Sequence, residues 1–250
     1  MFCTQCGTRI DDAQQFCPKC GQPVRGQPVF GQEVEVSSEP VPRLSITFVE
    51  EGQICGRVVV DPNLASHVSF GRYPDNDLMV SSPTGLVSAH HGSIVTDGGV
   101  CILCDQGSSN GLWDKGTRRE EIRVAKGDVF TIGRLRPRAR RCIIVVGAED
   151  AYWTPIVLRN RRVVAIGRDV DNDVMIGDPT VSTRHAFLHR DKDTWIIEDL
   201  DSTNGTTVNG KRIGRMPLPL SSGAQIVFGS IFSIYAYDCL LVQTIQPPNA

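Results

Sequence analysis

The sequence contains a ten-residue stretch that occurs twice, first as Gly71-Arg72-Tyr73-Pro74-Asp75-Asn76-Asp77-Leu78-Met79-Val80 and again, 96 positions later, as Gly167-Arg168-Asp169-Val170-Asp171-Asn172-Asp173-Val174-Met175-Ile176. Six of the ten residues are identical. Two shorter matches follow at a spacing of 94, Val87–His91 with Val181–His185 and Gly107–Gly111 with Asp201–Gly205. An internal repeat of this length indicates one domain used twice, so function must be read from what both copies keep.

The composition favours a soluble, globular protein of ordinary type. The chain has 250 residues, 40% hydrophobic and 22% charged, with a net charge of −2, which leaves room for about two domains. No apolar run approaches the roughly 18 residues of a membrane span, and the N-terminus lacks the pattern of a signal peptide. Nine cysteines without an export signal favour thiols and metal ligands over disulfides, so we expect a cytoplasmic protein.

Two cysteine pairs near the N-terminus predict a metal site. Phe2-Cys3-x-x-Cys6-Gly7 is echoed by Phe16-Cys17-x-x-Cys20-Gly21, and four thiolates at this spacing can enclose one Zn²⁺ in a closed tetrahedral site. So short a segment cannot bury enough apolar surface to fold alone, so the zinc is expected to be structural. The segment resembles the short zinc ribbons at the N-termini of many bacterial proteins.

The other cysteines are interpreted as packing residues. Cys101 and Cys104 also form a C-x-x-C pattern, but they lie in a β-rich run, where residues three apart point to opposite faces. Residues 23–43, rich in proline, glycine and serine, are typical of a flexible tether. The predicted organisation is a zinc ribbon over 1–22, a linker over 23–43, and two repeated domains over 44–147 and 148–250.

Short β-rich runs separated by turn formers predict an all-β fold for the repeated part of the chain. The predicted strands cover 44–49, 57–60, 93–95, 100–103, 142–146, 162–166, 195–198, 226–228 and 231–237. Asn-Gly turns between them, as at Asn204-Gly205, favour a β-sandwich in each repeat, with binding residues on the loops at its ends.

Enzymatic and calcium-binding interpretations are not supported by the repeat. The run from Asp169 to Asp173 begins like a calcium loop, but Val174 stands where that loop needs glycine and Thr180 where it needs an acid. The sequence offers no nucleophile–base pair and no phosphate-cradling glycine loop at a recognisable spacing, so no catalytic residue is predicted.

The ordered set of motifs is more specific than any single one. Each repeat carries Gly-Arg, then Ser-x-x-His, then Ser/Thr-Asn-Gly. A guanidinium, hydroxyl groups and an amide on separate loops can converge on a phosphorylated group, because the planar arginine fork matches phosphate oxygens. With these motifs, residues 44–147 and 152–244 resemble the forkhead-associated (FHA) domain in tandem. The resemblance implies β-sandwiches that bind phosphothreonine peptides without catalysis.

The second repeat keeps the full pattern. The resemblance implies that Arg168 binds the phosphate, that Ser182 and Thr203 donate hydroxyl hydrogen bonds to it, and that Asn204 holds the peptide backbone. Thr183 and Arg184 belong to the same expected site. His185 is expected to brace the loop, and Gly167 to make a turn.

The first repeat departs from this pattern in two positions. It keeps Arg72, Ser88, His91 and Asn110, with Gly71 in the supporting role, but Ser109 replaces the threonine and His90 replaces the arginine. Because a histidine side chain is largely neutral at pH 7, we expect the first domain to bind more weakly, to prefer another sequence, or to have lost binding.

Five arginines crowd a predicted loop of the first repeat: Arg134, Arg136, Arg138, Arg140 and Arg141. We consider two interpretations, a docking site for an acidic partner or membrane surface and a solvated hairpin.

The favoured interpretation is an adaptor whose partners are phosphothreonine-containing proteins, such as a Ser/Thr kinase or its substrates. Two alternatives remain. One is a nucleic-acid factor, although no segment is strongly basic; the other is an assembly protein whose FHA domains serve only as rigid spacers.

Overall fold

The computed structural model describes residue 9, residues 40–134 and residues 140–244. The predicted zinc ligands Cys3, Cys6, Cys17 and Cys20, most of the linker, and Arg136 and Arg138 therefore lie outside the described residues. In the described part of the chain every regular element is a strand, and no helix there could cross a membrane. The prediction of an all-β fold is confirmed, and the strands form two β-sandwiches in tandem.

The first sandwich contains two antiparallel layers. Its strands are β1 (Leu44–Glu50), β2 (Gln53–Val60), β3 (Ser66–Gly71), β4 (Leu78–Met79), β5 (Gly92–Asp97), β6 (Val100–Asp105), β7 (Leu112–Asp114), β8 (Thr117–Arg119), β9 (Glu121–Arg123), β10 (Val129–Ile132) and β11 (Cys142–Ala148). The six-stranded sheet has the order β2-β1-β11-β10-β7-β8, and the five-stranded sheet has the order β4-β3-β5-β6-β9. The pairs are antiparallel apart from β3 with β4.

The second sandwich has the same two layers. Its strands are β12 (Tyr152–Val157), β13 (Val163–Gly167), β14 (Val174–Met175), β15 (Ala186–Asp191), β16 (Thr194–Asp199), β17 (Thr206–Val208), β18 (Lys211–Arg212), β19 (Leu218–Pro219), β20 (Ala224–Phe228), β21 (Ile231–Ala236) and β22 (Cys239–Thr244). Its sheets have the orders β12-β22-β21-β20-β17-β18 and β14-β13-β15-β16-β19.

The two sandwiches differ in how their six-stranded sheets are closed. In the first, the N-terminal strand β1 pairs with β11 and β2. In the second, the same place is taken by the C-terminal strand β22, which pairs with β21 and β12. A two-residue turn at Tyr237-Asp238 joins β21 to β22, and Tyr237 has a positive φ of 59°. The second sandwich is thus a circular permutation of the first, and the shared part runs from β2 to β11 and from β12 to β21.

Each sandwich has its own apolar core between its sheets. Phe48, Phe70 and Ile144 lie in the first core, and Trp195, Ile197 and Phe228 in the second. All six side chains are fully buried. At about 1.5–3 kcal/mol for each large apolar side chain, these clusters supply most of the stability that holds the end loops in place.

A third apolar cluster joins the two sandwiches through the outer faces of their six-stranded sheets. Alternate residues of β11 divide between the two clusters: Ile144 faces the first core, whereas Ile143 and Val145 face the joint. Trp153 of β12 and Ile234 of β21 lie against them from the second sandwich. Strands buried on both faces have continuous apolar sequences rather than alternating ones, which explains the run Cys142–Val146.

The described cysteines follow the sequence interpretation with one exception. Cys101 and Cys142 lie in the first core, and Cys239 lies in the joint between the sandwiches. Burial raises the pKa of Cys101 to about 11 and that of Cys239 to about 12, so these thiols stay protonated near neutral pH. Cys104 is only partly buried and lies outside the core clusters, because it points to the other face of β6.

Candidate functional site

The sequence motifs of the second repeat meet at one end of the second sandwich. Antiparallel pairing of β13 with β15 and of β15 with β16 brings together the end of β13, the start of β15 and the end of β16. Arg168 follows β13, the Ser182–His185 segment precedes β15, and Thr203 and Asn204 lie between β16 and β17.

Arg168 is fixed by its backbone and by one nitrogen of its side chain. Its backbone N–H donates to the Ser182 carbonyl at 2.9 Å, and Nε donates to the Val181 carbonyl at 3.1 Å. Within the described residues the two terminal guanidinium nitrogens have neither a hydrogen bond nor an ion pair. The side chain is exposed, so an oriented cation with free donors faces solvent.

Gly167 is required by a close approach rather than by a turn. It is the last residue of β13 and does not have a positive φ, which corrects the turn-making role expected from the sequence. A Cβ at this position would lie 2.3 Å from the Thr183 carbonyl oxygen and 2.8 Å from the Asn172 amide nitrogen. Gly71 has the same constraint, with the Ala89 carbonyl oxygen 2.1 Å from such a Cβ.

The hydroxyl groups of Ser182 and Thr203 lie side by side. The Thr203 backbone N–H donates to Ser182 Oγ at 3.0 Å, and Ser182 Oγ is 3.4 Å from Thr203 Oγ1. Asn204 Nδ2 donates to the Thr180 carbonyl at 2.7 Å, so one edge of this amide ties its loop to the loop that precedes Ser182. The Asn204 side chain forms no other hydrogen bond with the described residues.

His185 is buried beneath these loops and connects them. Its Nδ1 accepts from the Ser182 backbone N–H at 3.0 Å, and Nε2 lies 3.2 Å from the Gly205 carbonyl oxygen. A carbonyl oxygen can only accept, so the proton is on Nε2. Burial lowers the pKa of His185, which keeps the ring neutral at pH 7 and suited to this bracing role.

Asp199 holds the turn that carries Thr203. Its carboxylate accepts from the Ser202 backbone N–H at 2.9 Å, from Ser202 Oγ at 2.7 Å and from Thr206 Oγ1 at 2.6 Å. Burial alone raises the pKa of Asp199, but the hydrogen bonds from Thr206 and Ser202 outweigh burial and lower it. The carboxylate is therefore ionised and internally satisfied, and it does not compete for the exposed cations.

Thr183 and Arg184 form the exposed rim of the site. The Thr183 carbonyl accepts from Asn172 Nδ2 at 2.8 Å, so the backbone of Thr183 is fixed although its side chain is exposed. No carboxylate in the described part of the chain forms an ion pair with Arg184. Two arginines without acidic partners make this end of the sandwich an attractive site for an anion.

The first sandwich builds the same scaffold. The Arg72 backbone N–H donates to the Ser88 carbonyl at 2.9 Å, the Ser109 N–H donates to Ser88 Oγ at 3.2 Å, and His91 Nδ1 accepts from the Ser88 N–H at 3.0 Å. Asn110 Nδ2 donates to the Leu86 carbonyl at 2.8 Å. The loops of both repeats are therefore held by equivalent bonds.

The rim of the first site differs from that of the second. The Arg72 guanidinium carbon lies 5.6 Å from the centre of the Tyr73 ring, and His90 Nε2 lies 3.6 Å from the Asp75 carboxylate. The rings of Tyr73 and His90 approach edge to face at 6.0 Å. An acid thus stands beside the residue that replaces Arg184, which reduces the positive charge available to an anion.

Two supporting residues of the repeated stretch were not assigned a role from the sequence. Asn172 Nδ2 donates to the Asp169 and Thr183 carbonyls at 2.9 and 2.8 Å, and Asn76 bonds the Tyr73 and Ala89 carbonyls in the same way. These amides tie the arginine loop to the Ser-x-x-His loop. Asparagine occupies the corresponding position in both repeats, and this identity was the signal by which the sequence could have revealed the role.

Two arginines in the described part of the arginine loop have different neighbours. Arg134 lies 6.0 Å from the centre of the Trp113 ring, and Trp113 Nε1 donates to the Asn110 carbonyl at 2.7 Å, so Arg134 borders the first site. Arg141 instead stacks at 4.8 Å on Tyr237 of the second sandwich. At least one of the five arginines therefore stabilises the joint between the sandwiches.

Comparison with known families matches the same regions. The family model described as FHA domain matches residues 68–133 and 164–229, together more than half of the chain. The family model described as zinc-ribbon domain matches residues 2–24. The two FHA matches cover β3 to β10 and β13 to β20, except for the first residues of β3 and β13. The strands outside the matches include β1 and β22, whose connectivity differs between the sandwiches.

Three relatives and one solved structure illustrate the similarity. The DNA damage response protein kinase DUN1 of Saccharomyces cerevisiae is 38% identical over 81 residues, covering 30% of this chain and 16% of that protein. The oxoglutarate dehydrogenase inhibitor of Corynebacterium jeikeium is 36% identical, covering 31% and 53%, and the FHA domain-containing protein FhaB of Mycobacterium tuberculosis is 35% identical, covering 32% and 50%. The FHA-2 domain of the M. tuberculosis ABC transporter Rv1747 is 33% identical, covering 34% and 76%, with a TM-score of 0.31. The chain thus spans about half or less of the length of these curated relatives.

Proposed function

Because the chain belongs to the family of proteins with FHA domains, whose general role is phosphothreonine binding, we propose that it is a non-catalytic adaptor in Ser/Thr kinase signalling. Its second FHA domain is the more competent reader of phosphothreonine peptides. The organisation proposed is a zinc ribbon over 1–22, a linker over 23–43, and FHA domains over 44–147 and 148–250.

One observation carries this proposal. Arg168, Ser182 and Thr203, which come from three different loops, meet at one end of the sandwich, and the hydroxyl oxygens of the last two are 3.4 Å apart. A phosphate group offers several acceptor oxygens in a small volume, so neighbouring hydroxyls and a guanidinium can each donate to a different one. None of the carboxylates in the described residues neutralises Arg168.

The proposed roles follow from the donors that remain available. The terminal nitrogens of Arg168 bind phosphate oxygens, and the hydroxyls of Ser182 and Thr203 donate to others. The Oδ1 atom of Asn204 accepts from a peptide N–H, because its Nδ2 is already bonded to Thr180. Arg184 and Thr183 contact the peptide at the rim.

The first site is proposed to bind more weakly, for two reasons. Arg184 is replaced by His90, which faces Asp75 at 3.6 Å, so the local positive charge is smaller. Thr203 is replaced by Ser109, which keeps the hydroxyl but loses the methyl group that restricts its rotation. Arg72, Ser88 and Asn110 retain the corresponding positions.

The N-terminal segment is proposed to hold one structural zinc ion. The donor set fits the metal, since Cys3, Cys6, Cys17 and Cys20 supply four thiolates in two C-x-x-C pairs, and the zinc-ribbon family model covers all four. When bound, zinc provides the folding energy that a segment of this size lacks. Metal analysis should give one zinc per chain, lost on Cys3→Ser with Cys17→Ser but not on Cys55→Ser.

The partners proposed are phosphothreonine-containing proteins, such as a Ser/Thr kinase or its substrates. The names of the relatives, a protein kinase and an inhibitor of a metabolic enzyme, are compatible with this class. The five described cysteines are free thiols, and we place the protein in a reducing cytoplasm on that basis.

Binding is tested by fluorescence anisotropy of the full chain against a degenerate phosphothreonine peptide library and its unphosphorylated counterpart. Three or four charge-assisted hydrogen bonds of about 1.5–3 kcal/mol each, less the cost of ordering a peptide, give an expected Kd in the micromolar range. Arg168→Ala should remove most of this binding. Arg162→Ala is the matched control, because Arg162 is an exposed arginine at the opposite end of β13.

The proposal fails if the library binds equally with and without phosphate, or if Arg162→Ala weakens binding as much as Arg168→Ala. Either result would leave the sandwiches as a scaffold.

A further inference from the structure

The joint between the sandwiches determines where the two sites lie relative to each other. We infer that the tandem is arranged head to tail, with the two sites at opposite ends, so that it bridges two separate phosphothreonine segments rather than gripping two adjacent phosphothreonines. This inference rests on the proposed function.

The first site lies at the end of its sandwich where β1 finishes. Glu50, the last residue of β1, accepts from Ser82 Oγ at 2.7 Å and from the Thr84 N–H at 3.1 Å. Ser82 and Thr84 belong to the loop that leads to Ser88 of the first site. Gly133, just after β10, donates at 3.3 Å to the Gly111 carbonyl next to Asn110, so β11 starts at this same end.

The second site lies at the end of its sandwich where β21 starts. Ser230, the residue before β21, donates its N–H to Thr180 Oγ1 at 2.9 Å, and Thr180 in turn accepts from Asn204 of the site. Tyr237 follows the last residue of β21 and therefore lies at the far end of the sandwich from the second site.

Contacts between the sandwiches join the first site's end to this far end. Arg141, which precedes β11, stacks on Tyr237 at 4.8 Å, and Glu51 pairs with Arg159 at 3.2 Å. A Cβ on Gly52 would lie 2.3 Å from a methyl group of Val157, the last residue of β12.

Contacts at the other end of the joint complete the arrangement. Ser45, near the start of β1, donates to the Ala148 carbonyl at 2.7 Å and is 3.5 Å from the Ala151 carbonyl. Gly147, near the end of β11, lies against Ala151 and Trp153, where β12 begins at the second site's end. The end of the first sandwich that is far from its site thus adjoins the end that carries the second site.

The length of the strands sets the separation. Strand β1 has seven residues, and a strand rises about 3.4 Å per residue, so the sites are at least about 20 Å apart. An extended peptide covers at most about 3.6 Å per residue. About six residues would be needed for a straight path through the protein, and more to pass around it. The apolar joint, with Trp153 and Val145 fully buried, prevents the sandwiches from turning to shorten this path.

The test uses the full chain and peptides that carry the best library sequence for each site, joined by Gly-Ser spacers of about four or about forty residues. A flexible spacer of about forty residues has a root-mean-square length of about 35 Å, enough to reach both sites. Each peptide is prepared with two phosphothreonines or with one. Arg72→Ala and Arg168→Ala show which site each peptide occupies.

With the long spacer, the doubly phosphorylated peptide is expected to bind at least about tenfold more tightly than the singly phosphorylated one, and either substitution should remove the gain. With the short spacer the two peptides should bind within about twofold of each other. A gain with the short spacer that depends on both arginines would overturn the head-to-tail inference while leaving the proposed function intact. Phosphate-dependent binding of single peptides to one site only would also overturn the bridging, and no phosphate-dependent binding at all would overturn the proposed function with it.

Discussion

The two sandwiches share their loops but not their connectivity. The first is closed by its N-terminal strand β1 and the second by its C-terminal strand β22, yet both place an arginine, a serine and an asparagine at equivalent points. The parts common to both run from β2 to β11 and from β12 to β21, and most of the loop-bracing hydrogen bonds originate there, although Glu50 at the end of β1 also holds the loop before Ser88. Most of the scaffold of the site therefore resides in this segment, and the closing strand serves mainly the core and the joint.

A second difference lies at the rims and beneath the loops. The second site has Arg184 where the first has His90 paired with Asp75. His185 donates to Gly205, whereas His91 Nε2 is buried without a hydrogen-bond partner in the described residues. The proposed function attributes readers of different strength to the two sandwiches because their loop geometry is equivalent and their rim charge differs, and the following substitutions test that proposal.

The largest effect is expected at the joint. Trp153→Ala removes a fully buried side chain shared by the two sandwiches, so the free energy of unfolding should fall by about 3–5 kcal/mol. Urea denaturation of the full chain followed by circular dichroism measures this change. The exposed Val163 offers a control, since Val163→Ala should change stability by less than about 0.5 kcal/mol. Two separate transitions, only one of them shifted by Trp153→Ala, would show that the sandwiches unfold independently.

His91, whose Nε2 has no hydrogen-bond partner among the described residues, should make the first sandwich sensitive to acid. Burial lowers the pKa of His91 to about 4, against about 6.5 in the unfolded chain. Because protonation is disfavoured in the folded state, the stability is fully present above about pH 6.5 and is lost as the pH falls towards 4, by up to roughly 3 kcal/mol.

This prediction is checked by measuring the free energy of unfolding between pH 7 and pH 4 for the wild type and for His91→Asn. Asparagine can still accept from the Ser88 N–H but does not titrate, so the variant should show the shallower pH dependence. If the free energy of unfolding depended equally on pH in the two proteins, His91 would not be the source of the acid sensitivity.

The glycines before the two arginines should each be intolerant of a side chain. Gly71→Ala and Gly167→Ala place a methyl group 2.1 and 2.3 Å from a carbonyl oxygen, so each should cost about 1–3 kcal/mol and weaken phosphopeptide binding at its own site. Gly177→Ala is the control, because no atom lies within 4 Å of its Cβ position. If all three variants behaved alike in thermal unfolding, the close approach would not be a real constraint.

The smallest effect is expected from exchanging the rim residues. His90→Arg should strengthen the first site and Arg184→His should weaken the second, each by roughly threefold to tenfold, and the change should shrink in high salt. Anisotropy titrations at two salt concentrations measure both. Unchanged affinities would place the difference between the sites elsewhere than in rim charge.

The sequence predicted strands in the common segment and in the part that closes the sheets, and it missed strands in both, such as β15 (Ala186–Asp191). β-branched runs identified β5, β6 and β16 because each pairs with a neighbour close in sequence. The strand β22, Cys239–Thr244, was not predicted, since its apolar run has no alternation and its place depends on pairing with β21 and β12. A strand whose partners are set by tertiary context gives only a weak local signal.

The sequence predicted which residue types form the site. It predicted only some of the residues that hold the loops of the site in place. The repeat singled out Arg168, Ser182 and Asn204, because they recur in order. The bracing roles of Asn172 and Asp199 depend on carbonyl and hydroxyl positions in other loops, which no local pattern encodes. The joint between the sandwiches could have been anticipated from Cys142–Val146, because a continuous apolar run is typical of a strand buried on both faces.

The most direct test of the account compares the two arginines in the full chain. Phosphothreonine library binding is titrated for Arg72→Ala, which leaves the second site, and for Arg168→Ala, which leaves the first. The account predicts that Arg72→Ala retains the tighter, micromolar binding and that Arg168→Ala retains only weaker binding or none. Tighter binding by Arg168→Ala than by Arg72→Ala would contradict it.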